Sequence, residues 1–509
     1  MYTTMTSFRK HAAIASGLAA LLLSGCRVGP KYQQPPAMAQ APPAAYKESP
    51  AQLPATTGGW TVAQPQDAML KGKWWEIYND PDLNALEDKL AIDNQTIKQY
   101  FANFMEARTL IAQARAQLFP TLTAAPSFNR ALSSGGLTNA STANTGKESS
   151  ITTMGLDAAW APDLWGKVRN TIREEQYNAQ LSAADLEGEK LTEQATLALT
   201  FFAIRGQDAL KAVYDQTIAD DQKALNYNQA QYDTGVGTEL SVVEAQNTLE
   251  NAQSAAINLG VARAQYEHAI AVLIGTDPSS FSIPVKALAA APPAVPVGVP
   301  SQLLERRPDI AASERTMAAA NAEIGVATAA FFPALTLSAT GGFQSSAIGN
   351  LFNWPSRFWS VGASVAQPVF DAGLRRATVN QYIEAYNADV ASYRQTVLGA
   401  FQQVEDGLAE VRILSQQIQQ QEVAAQSAQK FVDLETSRYE TGVDPYIDVV
   451  TAQETLLSDQ QTLTTLRTQA MTASVSLIEA LGGGWDTTQL PTPEQVSVKM
   501  TPAETTIAK

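Results

Sequence analysis

The chain has 509 residues and a formal net charge of −15 at pH 7, with 50 acidic against 35 basic side chains. A surface this acidic repels phosphate backbones, so nucleic acid is not an expected partner. One cysteine and two histidines give no basis for a disulfide framework, a zinc cluster or a histidine-based triad. We therefore predict that the protein is not an enzyme and has no catalytic, metal or cofactor-binding residues.

The N-terminus has the layout of a secretory signal over residues 1–25: two basic residues, an apolar run, and a small-residue cleavage site. The only cysteine closes the run Leu23-Ser24-Gly25-Cys26, which resembles a bacterial lipobox. That resemblance implies a covalent lipid (palmitate) on Cys26, and Arg27 after it is consistent with the outer membrane. The alternative is an ordinary signal that contains a buried cysteine.

An internal repeat organises the remainder of the chain. Tyr232–Leu249 aligns without gaps on Tyr439–Leu456, and each copy begins with a Tyr-x-x-Gly element. A repeat this long indicates a duplicated half-molecule. The expected domains are a lipidated extended tail over 26–66, a first repeat over 67–280, a Pro/Ala linker over 281–300, a second repeat over 301–485 and a C-terminal tail over 486–509.

Each repeat is expected to contain a helix, two strands and a long helical hairpin, in that order. The first repeat has alternating apolar and polar residues near 118–132 and 150–164, and a proline-free hairpin region over 167–275. The second repeat has alternating residues near 332–345 and 357–370, and a hairpin over 373–481 with apolar residues at heptad spacing. Helices of roughly 65 residues would reach roughly 100 Å.

The alternating segments are bordered by aromatic residues, a pattern typical of outer-membrane strands. A sheet of a soluble β-sandwich is the alternative. Four strands per chain cannot close a membrane barrel, and open edges are not tolerated in lipid, so several chains must share one barrel. Two copies would supply eight strands, and three would supply twelve, which leaves an open lumen.

Several motifs resemble the outer-membrane factors of tripartite efflux systems (the TolC superfamily), in the lipoprotein branch typified by OprM and NodT. The resemblance extends from the lipobox to about Gly484 and rests on the duplicated Tyr-x-x-Gly elements and on four further motifs: Cys26-Arg-Val-Gly-Pro-Lys-Tyr, Trp74-Trp75 with Asp80-Pro81-x-Leu83, Leu304-Glu-Arg-Arg-Pro-Asp-Ile310, and Ala322-Glu-Ile-Gly325 with Phe331-Phe332-Pro333.

The resemblance implies a mixed α and transmembrane β fold: a homotrimer with a twelve-stranded outer-membrane β-barrel, continued by a periplasmic α-helical coiled-coil tunnel. It also implies a periplasmic adaptor (membrane fusion protein) and an inner-membrane pump, often of the resistance-nodulation-division (RND) class. The expected function is a passive duct that carries drugs or other small toxic compounds across the outer membrane. Alternatives are a duct for protein secretion with an ABC exporter and a structural coiled-coil lipoprotein without a pore.

The two Tyr-x-x-Gly turns are expected to form the periplasmic tip of the tunnel. In the family an inward ring of aspartates and links around a tyrosine keep the tip closed. Tyr439, Asp444 and Asp448 occupy the corresponding segment, although Thr451 stands where relatives commonly have aspartate. The alternative is that Asp444 caps a helix and Asp448 lies on a solvated face. The predicted docking residues for the adaptor's helical hairpin are Gly235, Val236, Gly442 and Val443.

Overall fold

The computed structural model describes residues 27–38, 42–43, 45–48, 60–62, 72–132, 148–288, 291–297 and 300–497. The predictions for the signal peptide, for Cys26 and for the last residues of the C-terminal tail lie outside the described residues.

The first repeat follows the predicted order of helix, strand pair and hairpin. Its elements, with the short strand that precedes it, are β1 (Trp60–Val62), α1 (Pro81–Asp93), α2 (Gln95–Ala116), β2 (Thr121–Leu132), β3 (Glu148–Trp160), α3 (Lys167–Asp233) and α4 (Glu239–Leu273). Asp80 begins α1 as its N-cap, since its carboxylate accepts from the backbone N–H groups of Asp82 and Leu83. At 67 residues, α3 is far longer than an average globular helix.

The second repeat has the same plan. Its elements, together with the strand before it and the helix after it, are β4 (Val295–Val297), α5 (Pro300–Arg306), α6 (Pro308–Ala329), β5 (Ala334–Ser345), β6 (Arg357–Ala366), α7 (Leu374–Glu440), α8 (Tyr446–Ala480) and α9 (Pro493–Val496). The hairpins α3–α4 and α7–α8 have identical helix lengths of 67 and 35 residues. None of the described helices combines the length and the apolar character that a bilayer span requires.

Four strands form one antiparallel sheet in the order β2-β3-β5-β6. The central pair, β3 with β5, joins the two repeats across the sheet. The outer strands β2 and β6 each pair with one strand among the described residues, so the described sheet has two open edges. The segment predicted as an extended linker also contains β4, which pairs in parallel with β1 of the predicted tail.

The pairing register divides this sheet into an apolar and a polar face. Directly paired residues of antiparallel strands lie on the same face. One row contains Leu122, Ala158, Ala339 and Val361, and the next row toward the far end contains Ala124, Leu156, Gly341 and Trp359. The opposite face is mostly polar and includes Thr123, Asp157, Thr340 and Ser360 in one row. The alternation predicted from the sequence therefore holds across all four strands.

The helical body is packed around α3 and α7. The heptad positions of α7 are its buried side, and the buried members are Tyr393, Val397, Ala400, Val404, Gly407, Val411 and Leu414. Helix α3 packs on α2, α4, α6 and α8. Arg307 connects α6 to both helices of the second hairpin, since it donates to Asp309, to Gln403 Oε1 (2.8 Å) and to the Ala480 carbonyl (2.9 Å).

The N-terminal segment runs along this body from the sheet end of the helices. The Val28 N–H donates to the Trp165 carbonyl between β3 and α3, and Asn170 of α3 donates to the Val28 carbonyl (3.0 Å). Further along, Glu48 forms an ion pair with Arg412 of α7 at 2.8 Å. Arg27, the first described residue, therefore lies at the junction of sheet and helices, because it contacts Gly166.

Candidate functional site at the helical tip

The two helix-to-helix turns, residues 234–238 and 441–445, define the tip. Gly235 and Gly442 have φ angles of 77° and 76°, a left-handed conformation that strongly favours glycine. Their N–H groups donate to the Tyr232 and Tyr439 carbonyls, both at 2.9 Å. The same turn therefore ends the long helix in both repeats, as the aligned Tyr-x-x-Gly elements predict.

Each turn presents a valine to solvent. Val236 is 80% exposed and Val443 is 65% exposed, and a Cβ built on Gly235 or Gly442 would meet no atom within 4 Å. Leu240 is exposed next to the first turn. The four predicted docking residues thus form an accessible, partly apolar surface, and their role in adaptor docking stays a prediction.

Tyr439 joins the two repeats at the tip. Its hydroxyl lies 2.6 Å from Asn228 Oδ1 and 3.0 Å from Gln231 Oε1, both on α3. Its ring contacts Tyr227 at 6.1 Å and Tyr446 at 5.3 Å between centroids. Burial is the main cause that raises the pKa of Tyr439, and the neighbouring Tyr227 is the second. The phenol therefore stays protonated and can donate a hydrogen bond at neutral pH. We call Tyr439, Asn228 and Gln231 the tyrosine link.

Asp444 is held by an arginine of its own chain. Arg438 contacts both carboxylate oxygens, with Nη2 at 3.0 Å from Oδ1, and this hydrogen-bonded partner lowers the pKa of Asp444. The capping alternative is wrong, because Pro445 occupies the N-cap position of α8 and no side chain caps it. Thr451 donates to the Ile447 carbonyl at 2.9 Å, a bond within its own helix.

Asp448 and Glu435 complete an acidic group with Asp444. One carboxylate oxygen from each of the three lies within 4.8 Å of the other two, a spacing that a metal ion could use. The pKa of Glu435 is raised, mainly by desolvation and secondly by the neighbouring carboxylate of Asp444. Since Arg438 already supplies a positive charge here, the group is partly neutralised without an ion.

Sequence reasoning found Tyr439, Asp444 and Asp448 but missed their partners. Asn228 and Gln231 lie more than 200 positions away along the chain, and only the packing of α3 on the second hairpin brings them close. Arg438, the neighbour of Tyr439, carried a usable signal, because a basic residue one helical turn after Glu435 is positioned to pair with nearby carboxylates.

Aromatic side chains mark both ends of the sheet. At the end near the helices, Trp165 stacks on Phe332 at 4.8 Å, and its indole N–H donates to the Pro333 carbonyl at 2.7 Å. At the far end, Trp354 and Phe352 are exposed. Two aromatic girdles around an apolar band are typical of outer-membrane strands.

A duplicated chain with long helical hairpins, an apolar-faced sheet and aromatic girdles belongs to the class of outer-membrane channel subunits. The family described as "Outer membrane efflux protein" matches residues 86–276 and 299–483, one segment in each repeat. The chain therefore belongs to the outer membrane efflux protein family, a family of channels and not of enzymes. It is located in the outer membrane and functions in efflux.

Individual relatives agree with this assignment. The chain is 31% identical to the probable efflux pump outer membrane protein TtgC of Pseudomonas putida over 480 residues, which cover 93% of this chain and 95% of that protein. It is 30% identical to the outer membrane protein OprJ of Pseudomonas aeruginosa, covering 94% and 97%. Among solved structures, the outer-membrane channel OprN superposes with a TM-score of 0.79 at 26% identity, covering 90% of this chain and all of that one. The predicted superfamily, fold class and efflux function are confirmed.

Proposed function

We propose that three copies of this chain close one twelve-stranded barrel in the outer membrane and continue it as a helical tunnel. The observation that carries the proposal is the four-stranded sheet with an apolar face and open edges on β2 and β6. Unpaired backbone groups are not stable in hydrocarbon, so each edge requires a strand from another copy. Twelve strands leave a lumen wide enough for solutes.

The trimer acts as a passive duct for small toxic compounds. An inner-membrane pump, of the RND class, supplies the energy, and a periplasmic adaptor links the pump to the duct. Relatives named for antibiotic, toluene and solvent efflux favour small compounds over the alternative cargo, proteins delivered by an ABC exporter. The exposed turns at Gly235, Val236, Gly442 and Val443 are the surface that the adaptor contacts.

The gate lies at the tip, where the tyrosine link holds α7 against α3. Opening requires the hairpins to separate, and that breaks the hydrogen bonds of Tyr439. Asp448, on the first turn of α8, and Asp444, held by Arg438, form the acidic part of the gate. A covalent lipid on Cys26 adds an anchor at the end of the helices that faces the membrane, because Arg27 lies at the junction with the sheet.

The experiment that tests this function uses the full-length protein. Purified in detergent, it should migrate as a trimer on gels without heating and as a monomer after boiling, and it should form channels in planar bilayers. A host that lacks its own outer-membrane channel should regain drug resistance when this chain is expressed with its pump and adaptor. A monomer without channel activity would contradict the proposal, and restored protein secretion with unchanged drug sensitivity would favour the ABC alternative.

A further inference from the structure

A cavity of about 760 Å³ lies beside the tyrosine link, between α3 and the hairpin α7–α8. Its wall combines three kinds of side chain. The aromatic ones are Tyr227, Tyr439 and Tyr446; the charged ones are Asp220, Asp221, Lys223, Asp433 and Glu440; the aliphatic ones include Val432, Val449, Leu456 and Leu457. None of the predicted site residues except Tyr439 belongs to this wall.

Two hydrogen-bond acceptors in the wall have no partner among the residues that the structure describes. Asp221 is only 2% exposed, and its Oδ2 atom has no hydrogen-bond donor. Gln453 is half-buried, but its Oε1 atom is shielded from solvent and also has no donor among the described residues. A buried acceptor without a donor is destabilising, and a charged one more so, because it has lost its hydrogen bonds to water; native structures therefore rarely leave such an atom without a partner. Both atoms are therefore available to accept a hydrogen bond from a donor bound in the cavity.

The charges of the cavity wall also favour a ligand that donates hydrogen bonds, and specifically a cation. Four carboxylates face one ammonium group, and that ammonium, Lys223, is paired with Asp220 at 2.8 Å. Asp433 accepts a hydrogen bond from Gln429 at 3.0 Å. Asp221 has no ion pair among the described residues, although it is the most buried of the four carboxylates. The cavity thus has an uncompensated negative charge at its most desolvated point.

We propose that this cavity binds a primary alkylammonium ion, whose N–H groups donate to Asp221 Oδ2 and Gln453 Oε1. The positive charge compensates Asp221, and the tyrosine rings stabilise the cation through their π faces. The alkyl part packs against the aliphatic side chains of α8. A hydrated metal ion would use the carboxylate but would leave the aromatic and aliphatic parts of the wall without a function.

Protonation of Asp221 provides an independent check. Burial, followed by the nearby Asp220, raises the pKa of Asp221 to about 6, so the carboxylate is charged at pH 7.5 and largely neutral at pH 5. The groups that face it are Asp220 and Lys223 on its own helix, Asp433 and Glu440 on α7, and the phenols of Tyr439 and Tyr446. Amine binding should therefore weaken as the pH falls from 7.5 to 5.

The test is calorimetric titration of the full-length channel in detergent with n-butylamine at pH 7.5. We expect saturable binding by the wild type and affinity at least tenfold lower for Asp221→Asn. Gln453→Leu, which removes the second acceptor at similar volume, should also weaken binding. Asp215→Asn is the matched control, since Asp215 lies on the same helix but outside the cavity wall, where it pairs with Lys211. This variant should bind n-butylamine within about twofold of wild type.

Two further titrants separate the contributions of the positive charge, the N–H groups and the alkyl chain to binding. Tetramethylammonium has the charge but no N–H group, and n-butanol has the alkyl chain but no charge, so both should bind at least tenfold more weakly than n-butylamine. Unheated gels verify that each variant remains assembled. The proposal is overturned if the wild type does not bind n-butylamine, if Asp221→Asn and Gln453→Leu both bind as the wild type does, or if tetramethylammonium binds equally well.

Discussion

Glu87 on α1 is completely buried, and neither of its carboxylate oxygens has a hydrogen-bond partner in the described part of the chain. Burial, with the neighbouring Asp88 as a smaller cause, raises the pKa of Glu87 to about 9. The side chain is therefore protonated in the native protein at neutral pH. In the unfolded chain the same carboxyl releases its proton near its ordinary value of 4.5.

This difference makes stability depend on pH. Between about 4.5 and about 9 the native state binds one more proton than the unfolded state, so the free energy of unfolding falls as the pH rises through that range. From pH 4.5 to pH 7 the expected loss is about 3 kcal/mol per chain. We predict that Glu87→Gln, which is neutral at every pH, flattens the decline of the thermal unfolding midpoint.

Glu106→Gln is the control for this prediction, because Glu106 is exposed on the adjacent helix α2. Its unfolding midpoint should follow the wild-type pH profile. Parallel profiles for the wild type and Glu87→Gln would show that Glu87 is charged or hydrated in the native protein.

Tyr439 provides the second residue-scale prediction. Tyr439→Phe keeps the ring contacts with Tyr227 and Tyr446 but removes the hydrogen bonds to Asn228 and Gln231. The single phenolic O–H is shared between these two acceptors and contributes about 0.5–1.5 kcal/mol to the closed tip, so the open population should rise by roughly 2- to 13-fold. Single-channel recordings in planar bilayers should show a correspondingly higher open probability.

The repeat provides the matched control. Tyr232 is the first-repeat counterpart of Tyr439 and is 44% exposed. Tyr232→Phe should leave the open probability near the wild-type value. If both variants opened equally often, the asymmetry between the two repeats would have no part in gating.

At the scale of elements, the sheet shows which predictions a sequence can support. Leu337 and Ser338 are neighbours in β5, yet Leu337 pairs with Trp160 and Ala363 on the apolar face, whereas Ser338 pairs with Ala159 and Gly362 on the other. This alternation is visible in the sequence because a strand has a period of two. The hairpins were equally predictable, since a heptad pattern persists for many turns.

Periodic residue patterns do not predict very short elements or contacts between residues that are far apart in the sequence. Strands β1 and β4 have three residues each, too few for a periodic pattern, and they exist because the predicted tail and linker lie side by side. The partners of Tyr439 depend on how α3 packs against the second hairpin, and no local pattern in the sequence records that packing. The sequence therefore predicts elements and faces well, but it predicts the contacts of a site only in part.

The two faces of β5 lead to the third prediction. Leu337→Arg places a charge on the apolar face and should destabilise the assembled barrel by about 2–4 kcal/mol, the cost of a charged side chain facing lipid near the midplane of the bilayer. Ser338→Arg, on the polar face beside Gly362, should assemble normally and alter conductance. The yield of heat-modifiable trimer separates the two variants, and equal yields would contradict the assignment of the faces.

At the scale of the whole molecule, the described N-terminal segment connects the membrane end of the structure to its helical body. Val28 is hydrogen-bonded to Trp165 at the sheet junction, and Tyr32 donates to Glu314 of α6 at 2.5 Å. The first of these contacts lies two residues after Cys26, so a lipid on that cysteine would enter the membrane beside the aromatic girdle. Barrel and lipid would then act as two anchors at the same membrane surface.

Cys26→Ser tests this arrangement. Because the chain has no other cysteine, the variant should lose all incorporation of radioactive palmitate. Trimers should still form at reduced yield, since one acyl chain gives only marginal membrane binding by itself and the barrel supplies most of the anchoring. Arg27→Lys retains the cysteine and the charge and should label as the wild type does. Wild-type labelling of Cys26→Ser would refute the anchor, and complete loss of trimers despite normal export would mean that the lipid, more than the strands, guides the chain into the outer membrane.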